Sequence, residues 1–570
     1  MDAETQALVE AYEAELAQDL LRATQISMWE MLRRSAVKYP DLPAIRTADT
    51  SMSYRGLVER SLRCAAKLEA SGVTRGSRVS LMFHNCVEWP IVHYALLRLG
   101  AVVVPINLAY ESAEIHWVLE RAETEWVIAP TGAIGLDFAG KLEKVDPRLV
   151  HGAVDIPELA ALRRIHLLPA ENDELDPLSE AYRELFGDIG DPTLAERGPT
   201  TGHDPAYVLF TSGSTAHPKP ALCRGGAYVA NGVALARSLG FEAGDSYPGY
   251  NPTFHSSGVI WTLTLTHAVG GSAYLIPKFD GATVLDAIAN GDVTHAGAFD
   301  TMFTMMLAAE GGKDADVSGI KGWSVGCTPS FLRRVLEVWD LRCPGSIYGS
   351  TESTGICSIV PHVIDDKEVR IAGNGRPLPG VDVRIIDPET GAEVPKGEPG
   401  EICFRGWCLF IEYLGMPEEM EAAFDADGFF HSGDYGWIDE DGTLYFRGRY
   451  KMMIKTGGEN VAQREVEIFL EDTLPFLTHA EVVGVPDDTW GEAVCAFVEY
   501  ADGIERPRVE LRALCKGKIA NFKIPQYFVT VPPGEWPVLG SGRVDKPALQ
   551  ERALRLLRGR DSDHTSGAGA

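Results

Sequence analysis

The chain has 570 residues and a mass of 62.0 kDa, well beyond the roughly 250 to 300 residues at which one hydrophobic core stops growing, so several domains are predicted and a single small binding module is excluded. Hydrophobic residues make up 45%, charged residues 23% and aromatic residues 9%, a globular composition that excludes general disorder. Fifty-two Lys and Arg against 81 Asp and Glu leave a formal charge of −29, which repels phosphate backbones and anionic lipid and argues against nucleic acid as a partner.

The start, Met1-Asp2-Ala3-Glu4, is acidic where a presequence is basic, and a cytoplasmic location is expected. Apolar spacing predicts helices over Met28 to Lys38 and Tyr54 to Ala70, the second closed at Ser71-Gly72. Short apolar runs at Arg78 to Phe83, Ala101 to Pro105 and Trp126 to Ala129 predict buried strands. This alternation predicts an α/β fold with a parallel sheet. Residues 133–200 read as irregular and acidic, with Glu171 to Pro177 a surface loop. The uncharged stretch Ser246 to Pro277 carries three threonines, His267 and Gly270-Gly271 from Gly258 onward; it reads as buried sheet and loop, not a membrane span. Ten scattered cysteines without a CxxC are expected to be reduced.

Val381 to Ile386, Gly400 to Arg405 and Thr443 to Arg447 predict a small β subdomain over about 360–450. Beyond it, Glu465 to Glu471 and Arg508 to Ala520 read as helices, Glu481 to Val485 and Ala493 to Tyr500 as strands. The expected organisation is an N-terminal domain over 1–450, a smaller domain over 451–557, and a Gly- and Ser-rich disordered tail over 558–570.

Four segments carry chemistry. In Thr211-Ser212-Gly213-Ser214-Thr215-Ala216-His217-Pro218-Lys219, small residues let backbone N–H groups reach phosphate oxygens and the lysine adds a point charge, although such clusters are also ordinary loops. Tyr348-Gly349-Ser350-Thr351-Glu352 offers a ring for a base, a hydroxyl for a phosphate and a carboxylate for magnesium, and a polar turn fits it equally well. His431-Ser432-Gly433-Asp434 places an Asp suited to ribose hydroxyls, or to capping a turn. Lys455-Thr456-Gly457-Gly458-Glu459-Asn460 permits close approach of a ligand, or forms a plain Gly-Gly turn.

Taken in order, with Arg449 between the last two, these segments resemble the adenylate-forming superfamily of acyl-CoA synthetases, adenylation domains and luciferases, over roughly residues 30–550. The resemblance implies a large N-terminal domain of mixed α/β layers with a small β subdomain, a small mobile C-terminal α+β domain, and ATP bound between them. It implies that Thr211, Ser212, Gly213, Ser214, Thr215 and Lys219 wrap the β- and γ-phosphates, that Tyr348 lies against adenine, and that Gly326, Cys327, Thr328 and Gly349 also belong to the cofactor-binding residues. Thr351 would touch the α-phosphate, Glu352 and Thr215 would hold Mg²⁺, and Asp434 and Arg449 would bind ribose. His255, Phe299 and Asp300 would lie at the acyl pocket, and Lys455, Gly457 and Gly458 along the approach of the coenzyme A thiol.

Where such proteins carry a catalytic lysine near the C-terminus, this chain has Arg543; Lys546 matches a second basic position. Arginine keeps the charge but not the compact donor. Asp300 departs from the usual pocket pattern: it either faces an amino group on the substrate or turns outward to bind backbone. The implied activity is an ATP-dependent, AMP-forming acid–thiol ligase acting on an aromatic or medium-sized carboxylic acid, with coenzyme A as acceptor and secondary metabolism as the setting. The alternatives are transfer to a separate carrier protein, activation of a small oxyacid such as nitrite to diazotise an aryl amine, and a nucleotide-binding scaffold without catalysis.

Overall fold

The computed structural model describes residues 3–151, 155–171, 174–187, 199–211, 218–327, 329–364, 366–449, 453–456, 459–487, 491–516, 518–519, 521–539 and 543–565. The chain divides into two compact units. The first comprises Met1–Gly326, Val338–Val383 and Phe404–Phe430; the second comprises Cys327–Glu337, Arg384–Cys403 and His431–Ala570. The sequence-based boundary at 450 therefore lies inside the second unit. The reason is local: Phe430–Ile438 pairs antiparallel with Leu444–Arg449, so the two strands stay together.

In the first unit the expected α/β alternation is present. A seven-stranded sheet runs in the order Glu412–Tyr413, Lys219–Arg224, Pro205–Thr211, Val102–Pro105, Arg78–Leu81, Trp126–Pro130, Arg164–Leu168. Its last five strands are parallel and its first two join antiparallel. Val102 and Val104 from one strand and Val127 and Ala129 from another bury into one apolar cluster with Ile115, Val118 and Leu119 of the helix Ser112–Arg121, as a sheet covered by helices requires. A second sheet places Ala296–Phe299, Trp323–Gly326 and Pro344–Tyr348 parallel, followed by Ser358–Ile359 and Arg376–Pro377 antiparallel.

Four expectations need correction. Residues 133–200 are more ordered than they read: Arg164–Leu168 is an edge strand of the main sheet, and Ala170–Glu171 pairs with Glu174–Leu175 where a loop was expected. The uncharged stretch has buried strands at Ser246–Gly249 and Ser272–Leu275 as expected, but between them it is helical from Ser256 through Val269. Threonines obscure that helix in sequence because they favour strands, but here their hydroxyls bond back to carbonyls four residues earlier, Thr266 to Thr262 at 2.7 Å and Thr264 to Ile260 at 3.3 Å. The helix from Arg508 stops at Cys515. Finally, the helix Lys546–Thr565 continues through positions expected to form a disordered tail. A further helix, Ala3–Ala23, buries Val9, Tyr12, Leu16, Leu20 and Ala23, which recur at helical spacing.

The second unit has a five-stranded sheet built on the long hairpin Leu477–Asp487 and Gly491–Tyr500. The helix Gln463–Thr473 inserts Val466 and Leu470 beneath that sheet beside Ala480 and Val482. Across the sheet, Val483, Val485 and Phe497 pack against Leu549 and Ala553 of the final helix. All ten cysteines are free, and no helix among the described residues is long and apolar enough to cross a membrane.

Candidate active site

The first cluster forms where two strands of the main sheet end. Thr211 closes Pro205–Thr211 directly opposite Lys219, which opens Lys219–Arg224. Residues 212–217 between them, with Ser212, Gly213, Ser214 and Thr215, lie outside the described residues. Side chains two apart along a strand share a face, so Lys219 and Ala221 point the same way. Ala221 pairs with Tyr413 of the edge strand, which sets Tyr413 diagonally next to Lys219. The Lys219 ammonium lies 5.0 Å from the centre of the Tyr413 ring, and among the described residues its N–H donors take no hydrogen bond. A cation resting on a π face, with its donors unspent, is prepared for an anion.

Glu352 meets the same tyrosine at its hydroxyl. The Tyr413 hydroxyl donates to Glu352 Oε1 at 2.8 Å, and among the described residues the second carboxylate oxygen accepts nothing. Glu352 lies in the turn that follows Pro344–Tyr348, and the turn is tightly packed: a Cβ at Gly349 would stand 2.2 Å from the Gly355 carbonyl oxygen. Gly355 itself has φ +113°, a conformation that excludes most side chains. Two bonds clamp this turn to the segment leading into Tyr413: Thr354 Oγ1 donates to the Cys408 carbonyl at 2.5 Å, and the Phe410 N–H to that of Glu352 at 2.9 Å. One half-buried carboxylate with one oxygen pinned and one open fits a hard divalent cation such as Mg²⁺. Tyr348 is buried at the strand end, and Thr351 is half-buried in the turn.

The expected acyl-pocket residues occupy different settings. His255 is exposed, not a core histidine. Its Nδ1 accepts the Ser257 N–H at 3.1 Å, capping the helix that begins at Ser256 and leaving the ring proton on Nε2. Phe299 pairs in register with Gly326, and a Cβ on Gly326 would stand 2.4 Å from the Phe299 ring, so glycine there makes room for the ring. Asp300 is the first residue of the helix Asp300–Ala308, half-buried, where the positive end of the helix dipole favours a carboxylate. Cys327, in the second unit, is half-buried; Thr328 lies outside the described residues.

The second cluster belongs to the second unit. Asp434 and Arg449 face each other across Phe430–Ile438 and Leu444–Arg449, with Arg449 Nε 3.0 Å from Asp434 Oδ1. Asp434 is almost fully buried. The turn that presents it is set by Glu401, a residue the sequence did not single out. Glu401 Oε2 pairs with His431 Nδ1 at 3.0 Å and Oε1 accepts the Gly433 N–H at 2.9 Å, while Gly433 takes φ +69°. Ser432 Oγ accepts the Asp434 N–H at 3.0 Å and donates to the Ile402 carbonyl at 2.6 Å. Arg543 keeps solvent contact yet is crowded by protein; that crowding, with the charges of Arg449 and Arg464, pulls its guanidinium below the usual value against the opposing Asp434. Lys455 pairs in register with Asn460, and Gly457 and Gly458 lie outside the described residues.

Lys546 is not at this cluster. It sits in a buried ionic network with Glu467, with Glu481 at 3.3 Å, and with Gln463 at 3.0 Å. His479 bridges Glu471 at 3.2 Å and Glu481 at 3.4 Å in the same network.

A largely parallel α/β sheet thus ends at Lys219, whose ammonium takes no hydrogen bond among the described residues, with the Glu352 carboxylate on the same tyrosine. The chain belongs to the AMP-binding enzyme family: residues 32–414 match that family, and residues 471–542 match the AMP-binding enzyme C-terminal domain. It is an ATP-dependent, AMP-forming ligase of the adenylate-forming superfamily. Among its relatives, the mitochondrial medium-chain acyl-CoA ligase ACSF2 of Danio rerio is 27% identical over 547 residues, covering 93% of this chain and 88% of that protein. The putative acyl-CoA synthetase YngI of Bacillus subtilis is 28% identical over 539 residues, covering 92% and 97%. The crystal structure of ATP-bound MatB from Rhodopseudomonas palustris superposes with a TM-score of 0.78 at 28% identity, covering 92% of this chain and 98% of that one.

Proposed function

We propose that this ligase joins a medium-sized or aromatic carboxylic acid to AMP, releasing pyrophosphate, and then passes the acyl group to the thiol of coenzyme A. The observation that carries the reading is the Lys219–Tyr413–Glu352 arrangement, an open ammonium and a half-open carboxylate on one ring. It is supported by the relatives, which are named as acyl-CoA ligases or synthetases. Displacement at phosphorus needs charge neutralisation and in-line positioning more than covalent help. Lys219 and Thr211, with Ser212 to Thr215, bind the departing β- and γ-phosphates, while Thr351 holds the α-phosphate and Tyr348 covers the purine. Glu352 and Thr215 would hold Mg²⁺, which would supply further neutralisation of the triphosphate. Asp434 accepts the ribose hydroxyls and Arg449 keeps that carboxylate oriented.

Arg543 supplies the positive charge between carboxylate and α-phosphate that a lysine provides in related enzymes. Arg543→Lys is expected to retain adenylation within about tenfold, measured by AMP formation, because the charge persists; complete loss would show that the planar guanidinium is required. Asp434→Ala is expected to raise the KM for ATP by roughly tenfold or more, the equivalent of about 1.5–3 kcal/mol for charge-assisted bonds. An unchanged KM removes Asp434 from the site. The reading is tested by incubating the protein with ATP, a panel of acids and coenzyme A, and identifying acyl-adenylate and thioester by mass. Acyl-adenylate without thioester redirects the second step to another acceptor.

A further inference from the structure

Resting on the phosphate-site reading above, we infer that Tyr413 is a positioning residue that couples the cation and the carboxylate of that site, each through a different part of its side chain. The face of the ring holds the Lys219 ammonium, 5.0 Å from its centre. The hydroxyl holds Glu352 Oε1 at 2.8 Å. The tyrosine is itself fixed. It is only 4% exposed, its ring packs on Phe410 with centroids 4.6 Å apart, and its strand is tied to Lys219–Arg224 on both sides by Ile411 N–H to the Leu222 carbonyl at 2.6 Å and Leu414 N–H to that of Pro220 at 2.9 Å.

The two contacts have separable consequences. A hydroxyl that occupies one carboxylate oxygen fixes the rotation of Glu352 and aims the other oxygen, so it governs how well the carboxylate meets a divalent cation. The ring face governs where the ammonium stands, and an ammonium on a π face keeps all three N–H donors for phosphate oxygens. Substituting Tyr413 therefore produces one of two distinct losses according to which part is removed. Tyr413→Phe removes the hydroxyl and keeps the ring; Tyr413→Leu removes both.

The test measures ATP affinity at equilibrium by calorimetry on the full chain without acid, so no turnover occurs, once in EDTA and once with saturating Mg²⁺. For Tyr413→Phe the affinity in EDTA is expected to stay within about twofold of the parent, while the gain conferred by Mg²⁺ falls about tenfold, the worth of one hydrogen bond to a charged group. For Tyr413→Leu the affinity in EDTA also falls, by about fivefold. A purely structural role predicts equal losses in both conditions. Equal losses for Tyr413→Phe, no loss in either, or a parent protein indifferent to Mg²⁺ overturns the proposal. Lys219→Ala in the same experiment separates the two levels: if it binds ATP as the parent does, the phosphate-site reading itself fails. Should Tyr413→Leu not fold, Tyr413→Phe decides alone, since both conditions are read on one protein.

Discussion

Lys546→Met is expected to destabilise the second unit by about 3–5 kcal/mol at neutral pH, the cost of removing one partner from a buried ion pair. Burial pulls the Lys546 ammonium down, but Glu467 and Glu481 outweigh it and hold the group above its ordinary value. Burial meanwhile pushes Glu467 up. Without the lysine, two nearly inaccessible carboxylates lose their common cation, and the carbonyl of Val482 loses a donor at 3.3 Å. The loss is read from hydrogen exchange across Leu477–Asp487 and from denaturant unfolding; a change below about 1 kcal/mol contradicts the account.

The same network gives the parent protein a pH dependence of known sign. Burial pulls the His479 imidazole down, yet Glu471 and Glu481 outweigh it and carry it up to about 10. A group whose folded pKa exceeds its unfolded value contributes stability fully below the unfolded value, near 6.5, and loses it as pH rises through the folded one. The second unit should therefore lose this contribution between about pH 6.5 and 10, and His479→Gln should flatten that part of the profile. A profile that keeps its slope in His479→Gln assigns the dependence elsewhere.

Lys219→Ala is expected to lower AMP-forming turnover at least tenfold, for lost charge-assisted contacts of about 1.5–3 kcal/mol. The lysine's position follows from strand pairing, and among the described residues its ammonium makes no hydrogen bond or ion pair and rests on the Tyr413 ring. Lys219→Met, which keeps an unbranched side chain over that ring, should lose as much, because the charge is what is missing. Full activity in both variants would remove Lys219 from the reaction.

The elements legible in the sequence were those with one clear period. Met28–Lys38, Tyr54–Ala70 and Arg78–Leu81 stand where apolar spacing places them. The helix from Ser256 to Val269 was hidden because it is buried on all sides and rich in threonine, so it lacks a polar face to set a period of 3.6. Ordered motifs pointed to Lys219, Glu352, Asp434 and Arg449 as candidates, and the structure brings the first two to one tyrosine and the last two into contact. Tyr413 and Glu401 carried no such signal. Tyr413 meets Lys219 only because a two-residue edge strand pairs with Ala221–Leu222, and Glu401 meets His431 because the strands Gly400–Gly406 and Phe430–Ile438 are neighbours in one sheet. Contacts between segments 30 to 194 positions apart are decided by register, which one sequence does not display.

Acid-dependent exchange of labelled pyrophosphate into ATP tests the central claim most directly, because only reversible transfer of AMP to a carboxylate produces it. Label is expected to enter ATP when a suitable acid is present, to be absent without acid, and to fall at least tenfold in Lys219→Ala. Cleavage of ATP to ADP and phosphate, with no exchange for any acid in a broad panel, would contradict the assigned chemistry.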